Sequence, residues 1–551
     1  MKVITLDEKS YHRILFLFGI CFFLLLALGI RLFQIQVINF SKYAKLAGDQ
    51  HGLLLQENQL RGPIFDRNGK LFRSSTQKWY LLVKNITPKL LGEYQENLSF
   101  FDPDFFLEAK ANLAKGYWVY SKPLSQSEIN RIIHLGNPDL KIVANQTGRD
   151  QPEKLAWHIL GMIRDQKAQS GLEFSLEPVL KQPSFSASIR SLTDATHQPL
   201  PGLGLRSIQR RNPNGYYLTI DLTIQRLVEE ILDRKKVCGA IVVLEVNSGD
   251  ILAMASRPMV KLTDLEASLT DSEYPFVNRA ITGYPPGSVF KTVLLCAGLD
   301  SGLVFEEEYF KDQGYFQLDD KRWNCTTSAG SGHGFINLTE AFAYSCNPVF
   351  IELALRLGPG LITGYAEKFG FGKPVNIGLI DEAWGELPTG IGLSLGERAN
   401  LALGQQLVSA TPLQVASLIQ TIANDGVRLA PRLLKGKTAE NRGLIEFSLA
   451  EPPNRVIKME TARQVQKMMA AVLEYGTGRE AQPSCQAAGK TGTVQNIGGQ
   501  SFPDHAWFAG YAPLRVPRYA IVVFCEKGIS GGETAAPIFR EVVDKITNRS
   551  D

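Results

Sequence analysis

One apolar run near the N-terminus constrains this chain more than any other feature. From Ile14 to Ile30 there are seventeen consecutive residues without a charged or polar side chain, bounded by Arg13 and Arg31. That length is the short end of what crosses a bilayer as a helix, and Leu32, Phe33, Ile35 and Val37 can extend it into the interface. The competing reading is a cleaved signal peptide, because Ala27-Leu28-Gly29 is a small-x-small triplet. The run exceeds the roughly 7–15 apolar residues usual in such signals, which favours an uncleaved anchor over 14–37 behind a short tail at 1–13. Flanking charge does not orient it: Lys2, Lys9 and Arg13 precede the run, and Arg31, Lys42 and Lys45 follow it closely.

At 551 residues the chain is too long for one core and predicts two or three domains. Hydrophobic residues make up 44% and charged residues 21%, an ordinary globular balance. The net charge of +4 is small and its lysines and arginines are scattered, so no nucleic-acid partner is expected. The seven cysteines form no C-x-x-C pair and the seven histidines no H-E-x-x-H, so neither a metal site nor a cofactor is expected. Most cysteines sit in apolar runs such as Leu295-Cys296 and Phe524-Cys525, as small buried thiols do.

Residues 39–60 read as a polar juxtamembrane stretch, and 61–70 as a strand-like pair around the turn Asn68-Gly69. Strand-like Trp79–Val83 and helix-like runs near 104–115 and 125–134 follow, without a catalytic constellation. An extended, mixed α/β, non-catalytic module over 38–225 is expected. The texture changes near 236. Gly239–Val246, a turn at Asn247-Ser248-Gly249-Asp250 and Ile251–Ser256 make an antiparallel hairpin. Residues 276–430 are predominantly helical in pattern, and 435–455 read as a charged surface excursion. Strands at Ala487–Gln495, Ala506–Tyr511 and Tyr519–Cys525 precede a helix near 533–547. The pattern predicts an α+β domain over 236–547, an antiparallel sheet closed by the chain's return and flanked by helices.

Three short motifs in this domain carry chemistry. In Ser288-Val289-Phe290-Lys291, after Tyr284-Pro285-Pro286-Gly287, a helix start puts Ser288 and Lys291 on one face. A serine needs an adjacent base to be a nucleophile, and a lysine can serve once burial lowers its pKa. Alone this is as well read as a capping serine beside a surface lysine. Ser345-Cys346-Asn347, fifty-seven residues on, offers a hydroxyl and an amide to one cleft, though S-x-N is commonly a plain helix cap. Lys490-Thr491-Gly492-Thr493 lies in a predicted strand, where Gly492 marks close approach by a ligand or another backbone. A P-loop reading fails, since Ser484 stands where its first glycine belongs.

The ordered set S-x-x-K, S-x-N and K-T-G resembles that of penicillin-binding proteins and class A β-lactamases. Phe276–Ala280, Leu403-Gly404-Gln405, Ala410–Gln414, Gly476-Thr477-Gly478 and Trp507–Tyr511 are similar to further signatures of penicillin-binding transpeptidase domains. Residues 61–70 and 31–37 resemble the opening of the non-catalytic module and the anchor exit of the class B, monofunctional members. The resemblance implies a D,D-transpeptidase that cross-links peptidoglycan stem peptides at D-Ala-D-Ala and is inhibited by β-lactams. It implies Ser288 as nucleophile, Lys291 as proton acceptor and Ser345 as relay to the leaving group. Asn347 would hold the donor amide, Lys490 and Thr491 the terminal carboxylate, and the N–H groups of Ser288 and Thr493 the oxyanion. It further implies a single-pass protein of the cytoplasmic membrane with its tail inside and catalytic domain outside, working with a polytopic glycosyltransferase. A hydrolase that lets water finish the reaction, or a β-lactam sensor, would share these motifs.

Overall fold

The structure, a computed structural model, describes residues 8–40, 52–73, 76–84, 103–113, 117–137, 139–147, 155–164, 167–192, 205–209, 214–261, 264–318, 320–325, 330–389, 392–439, 443–449, 451–494 and 504–548, with single residues 43, 92, 98, 100 and 101. Most of the expected juxtamembrane stretch before residue 52, and Gln495 at the end of a predicted strand, lie outside them.

The apolar run is helical over Glu8–Phe33 and continues as a wider turn over Gln34–Ile38. No part of this span is buried within the protein, and Phe16 and Phe18 are 70% and 74% exposed. A helix that is apolar all round and uncovered suits a lipid environment. The apolar span His12–Ile38 has 27 residues. At ~1.5 Å per residue it exceeds the ~30 Å hydrocarbon core of a bilayer.

The chain forms two compact units, one of residues 1–60, 76–147 and 183–211, the other of 61–75, 148–182 and 212–551. Segments 61–75 and 148–182, which the sequence groups with the N-terminal module, therefore pack in the second unit. Buried charge explains their attachment to one another: Arg61, 5% exposed, pairs with Glu173 at 2.9 Å and Glu177 at 2.7 Å. The Asn68-Gly69 turn forms as expected, with Asp66 accepting from the N–H groups of Asn68 and Lys70.

In the first unit, Thr76–Lys84 runs antiparallel between Tyr117–Val119 and Leu140–Thr147. Its side chains alternate: Leu81 and Val83 join a core with Phe101, Phe105 and Trp118, while Tyr80 and Leu82 face Val119. Helix Gln126–Leu135 begins at a capping box between Ser125 and Glu128 and ends at Gly136, φ 57°.

The second unit is built on a five-stranded antiparallel sheet. Its order is Ile251–Arg257, Gly239–Glu245, Tyr519–Cys525, His505–Ala512, Ala488–Val494. Apolar runs rather than alternation mark the first three of these strands because helices bury both faces. Leu222–Lys235 and Ala536–Thr547 pack together on the sheet, as do Pro412–Ala423 and Met459–Glu474. Helix Lys291–Ser301 is buried continuously from Lys291 to Gly298, so it has no polar face.

Two expectations change. The helical middle also holds the strand pairs Tyr309–Asp312 with Gly334–Asn337 and Tyr315–Leu318 with Lys321–Asn324. The stretch from 435 is not a surface excursion throughout. Leu434–Thr438 lies in a second five-stranded sheet between Leu444–Glu446 and Tyr216–Leu218. The charge there misled because Lys435 donates inward to the Arg67 carbonyl at 3.3 Å.

Candidate active site

The three motifs meet on one cleft of about 580 Å³, whose wall includes Ser288, Ser345, Asn347, Thr491 and Thr493. Ser288 sits half-buried in the tight turn Gly287–Phe290 that opens the central helix. The turn is pressed against the edge strand Ala488–Val494. A Cβ on Gly492 would come within 2.9 Å of Pro286 O and of Val289 Cγ2. The close approach expected at Gly492 is therefore made by the protein's own serine turn. Gly287, at φ 56°, donates its N–H to Gly404 O at 3.1 Å.

Lys291 is fully buried, and its Nζ reaches Ser345 O at 2.8 Å, Asn347 Oδ1 at 2.6 Å and Ser345 Oγ at 3.3 Å. The first motif is thus bonded to the second. Burial lowers the Lys291 pKa to about 8, opposed by the nearby Cys346 and Cys325 sulfurs. Ser345 is held in the left-handed region at φ 57°, a conformation costing ~1–3 kcal/mol for a non-glycine residue. Asn347 begins helix Asn347–Leu357 and donates its amide to Asn324 O at 3.2 Å.

Lys490 is placed differently from Thr491 and Thr493. Its side chain is wholly buried behind the wall, with Nζ 3.2 Å from Thr491 O and over the Phe342 ring at 5.4 Å. Burial, then the like charge of Lys291, holds its pKa well below the ordinary lysine range. Thr491 Oγ1 hydrogen-bonds Thr477 Oγ1 at 2.6 Å, and Thr493 Oγ1 accepts the Gly531 N–H at 3.1 Å. Thr477, Gln405, Arg479 and Glu533 also line the cleft. The Gly476-Thr477-Gly478 and Leu403-Gly404-Gln405 signatures carried a signal for the first two; nothing local marked Arg479 or Glu533.

Cys346 faces away from the cleft. Its sulfur stands 4.0 Å from Cys325 Sγ, which is 3.5 Å from His333 Nδ1, itself 2.6 Å from Asp312 Oδ2. The four ligand atoms lie within 4.8 Å of one another. Two thiols, an imidazole and a carboxylate form a donor set suited to a tetrahedral divalent ion such as zinc. The sequence hid this set because its members lie on separate strands and loops with no short ligand spacing. An ion held there would be bound through the middle residue of Ser345-Cys346-Asn347.

The model of the penicillin binding protein transpeptidase domain matches residues 239–544. The chain is 27% identical to the peptidoglycan D,D-transpeptidase MrdA of Acinetobacter baumannii, over 98% of this chain and 88% of that protein. It is 29% identical to the stage V sporulation protein D of Bacillus subtilis, over 98% and 86%. Penicillin-binding protein 3 of Mycobacterium tuberculosis, solved with aztreonam, superposes with TM-score 0.65 at 24% identity, covering 90% of this chain and 97% of that one. Penicillin-binding protein 2 of Helicobacter pylori, solved with MreC, superposes at 0.69 and 20%, covering 90% and 99%. The chain therefore belongs to the penicillin-binding protein transpeptidase family. Within it the relatives place the chain among the class B members, as a peptidoglycan D,D-transpeptidase.

Proposed function

We propose that Ser288 is the nucleophile that forms an acyl-enzyme with the stem peptide. The observation carrying this reading is the buried Lys291 amine, whose pKa falls to about 8 and whose bonds reach Ser345 and Asn347. A neutral amine can give its two hydrogens to Ser345 O and Asn347 Oδ1, leaving a lone pair to receive a proton. Lys291 takes the Ser288 proton as Oγ attacks the carbonyl of the D-Ala-D-Ala bond. Ser345, 3.3 Å from the amine, passes a proton to the departing D-Ala nitrogen as the C–N bond breaks. The amine of a second stem peptide then displaces Ser288, and the cross-link forms.

The N–H groups of Ser288 and Thr493 stabilise the tetrahedral oxyanion, worth roughly 3–4 kcal/mol per donor in other hydrolases. Asn347 holds the donor amide. The strand Ala488–Val494 is at the sheet edge, where substrate backbone can add alongside. Thr491 meets the terminal carboxylate directly, with Lys490 behind it bonded to the Thr491 carbonyl. Arg479 and Glu533 offer charged contacts to the peptide. β-Lactams acylate Ser288 as donor mimics.

The N-terminal helix anchors the chain with the catalytic unit outside the cytoplasmic membrane, where peptidoglycan lies. A polytopic glycosyltransferase and wall-synthesis proteins of the MreC kind are its partners. Fluorescent penicillin should label the wild-type chain and fail to label Ser288→Ala. Undiminished labelling of that variant would overturn the assignment, and an acyl-enzyme lost within seconds would favour a hydrolase.

A further inference from the structure

The turn that presents Ser288 is fastened at both ends. Gly287 is bonded to Gly404, and Tyr284 exchanges backbone hydrogen bonds with Ala410 at 3.0 and 2.8 Å. Pro285 and Pro286 between them have no N–H to donate, and the side chain of Tyr284 adds a further hold to the packing against the edge strand. Its ring lies against Phe524 (centroids 4.2 Å apart) and His505 (5.7 Å), and its O–H donates to Glu526 Oε1 at 2.9 Å.

Glu526 directly follows the strand Tyr519–Cys525 and is itself fixed. Its Oε2 accepts the Cys238 thiol at 2.9 Å, and its backbone N–H donates to Cys238 O at 2.8 Å. Arg279 Nε stands 2.9 Å from the same oxygen, close enough for an ion pair but not aligned as a hydrogen bond. Arg279 is buried, and its other nitrogens donate to Glu273 O and Tyr274 O at 2.7 and 3.3 Å. Burial alone would raise the Glu526 carboxyl; the Cys238 thiol, Arg279 and Tyr284 outweigh it and keep the group ionised. None of these side chains lines the cleft.

We propose that Tyr284 and Glu526 are positioning residues for Ser288. The carboxylate anchors the phenol, the phenol fixes the Pro-Pro-Gly run, and the run sets where the serine hydroxyl stands against Lys291 and Thr493. This rests on the reading of Ser288 as nucleophile. A displacement of about 1 Å in a reacting group can cost a hundredfold in rate while leaving binding intact.

The test is stopped-flow acylation of the full chain by fluorescent penicillin, separating the dissociation constant of the first complex from the acylation rate constant. Tyr284→Phe deletes one O–H and keeps the ring. It should lower the rate constant about tenfold or more, with the dissociation constant within about twofold. Glu526→Ala should do the same, and Glu526→Gln, which keeps an acceptor for the phenol, should recover most of the loss. The pair Tyr284→Phe/Glu526→Ala should be no slower than Glu526→Ala alone, because the two act through one contact. A wild-type rate constant in Tyr284→Phe overturns the proposal. So does a loss confined to the dissociation constant, or a lowered Tm with an unchanged rate. Absence of acylation in the wild-type chain would instead defeat the nucleophile reading, and the positioning roles with it.

Discussion

Burying a lysine amine against a carbonyl, a hydroxyl and an amide oxygen costs free energy that most cores avoid. At Lys291 the cost appears as a pKa lowered from 10.5 to about 8, which corresponds to about 3 kcal/mol. The sign follows from desolvation, which disfavours the charged form. Below pH 8 the amine is protonated and the penalty to stability is full; between 8 and 10.5 it fades. The same shift makes the base available, so acylation of wild-type chain should rise about tenfold per pH unit up to about 8 and then level. A flat rate profile from about pH 6 to 9 would count against Lys291 as proton acceptor. Ser288 and Lys291 were legible in sequence because three residues along a helix fix a shared face. That Lys291 bonds to Ser345 and Asn347 was not, since that contact spans more than fifty residues.

Among the elements, the edge strand and the serine turn are fitted by the absence of side chains. A methyl at Gly492 meets the backbone at Pro286 and the Val289 side chain, each 2.9 Å away. Gly492→Ala should therefore push the turn outward and cut the acylation rate constant by roughly tenfold to a hundredfold. Equal rates in Gly492→Ala and wild type would show that the turn yields freely. The strands near 309–337 are tied to the S-x-N loop by Asp312, Cys325, His333 and Cys346. Protein purified without chelator should carry about one divalent ion per chain by mass spectrometry, and a strong chelator should lower its Tm. Cys325→Ser/His333→Ala should lose both the ion and the chelator effect. No retained metal, with a Tm indifferent to chelator, would leave the cluster as buried polar packing. Periodicity predicted the edge strand and the helix after the serine turn but not the strands near 309–337, and which loops converge is a property of the closed sheet.

At the scale of the molecule, the uncovered apolar helix governs how the chain behaves in a cell extract. The full chain should sediment with membranes and be released by detergent but not by high salt. Arginine at the helix centre costs ~3 kcal/mol each, so Phe23→Arg/Leu24→Arg should shift a large fraction into the soluble phase. Unchanged sedimentation of that variant would argue that other surfaces hold the membrane.

Chain order alone determined the apolar N-terminal helix, the α+β class and the three motifs proposed as catalytic. Each rests on local spacing: an apolar run, periods of two and 3.6, and hydroxyl–amine pairs a fixed number of residues apart. Tertiary structure decided the rest. It placed Lys490 behind the cleft wall instead of on it, drew two cysteines, a histidine and an aspartate to one point, and put 61–75 and 148–182 into the second unit. The reason is physical: burial and convergence depend on where the chain returns through space, and residues distant in sequence carry no mutual spacing from which that return can be read.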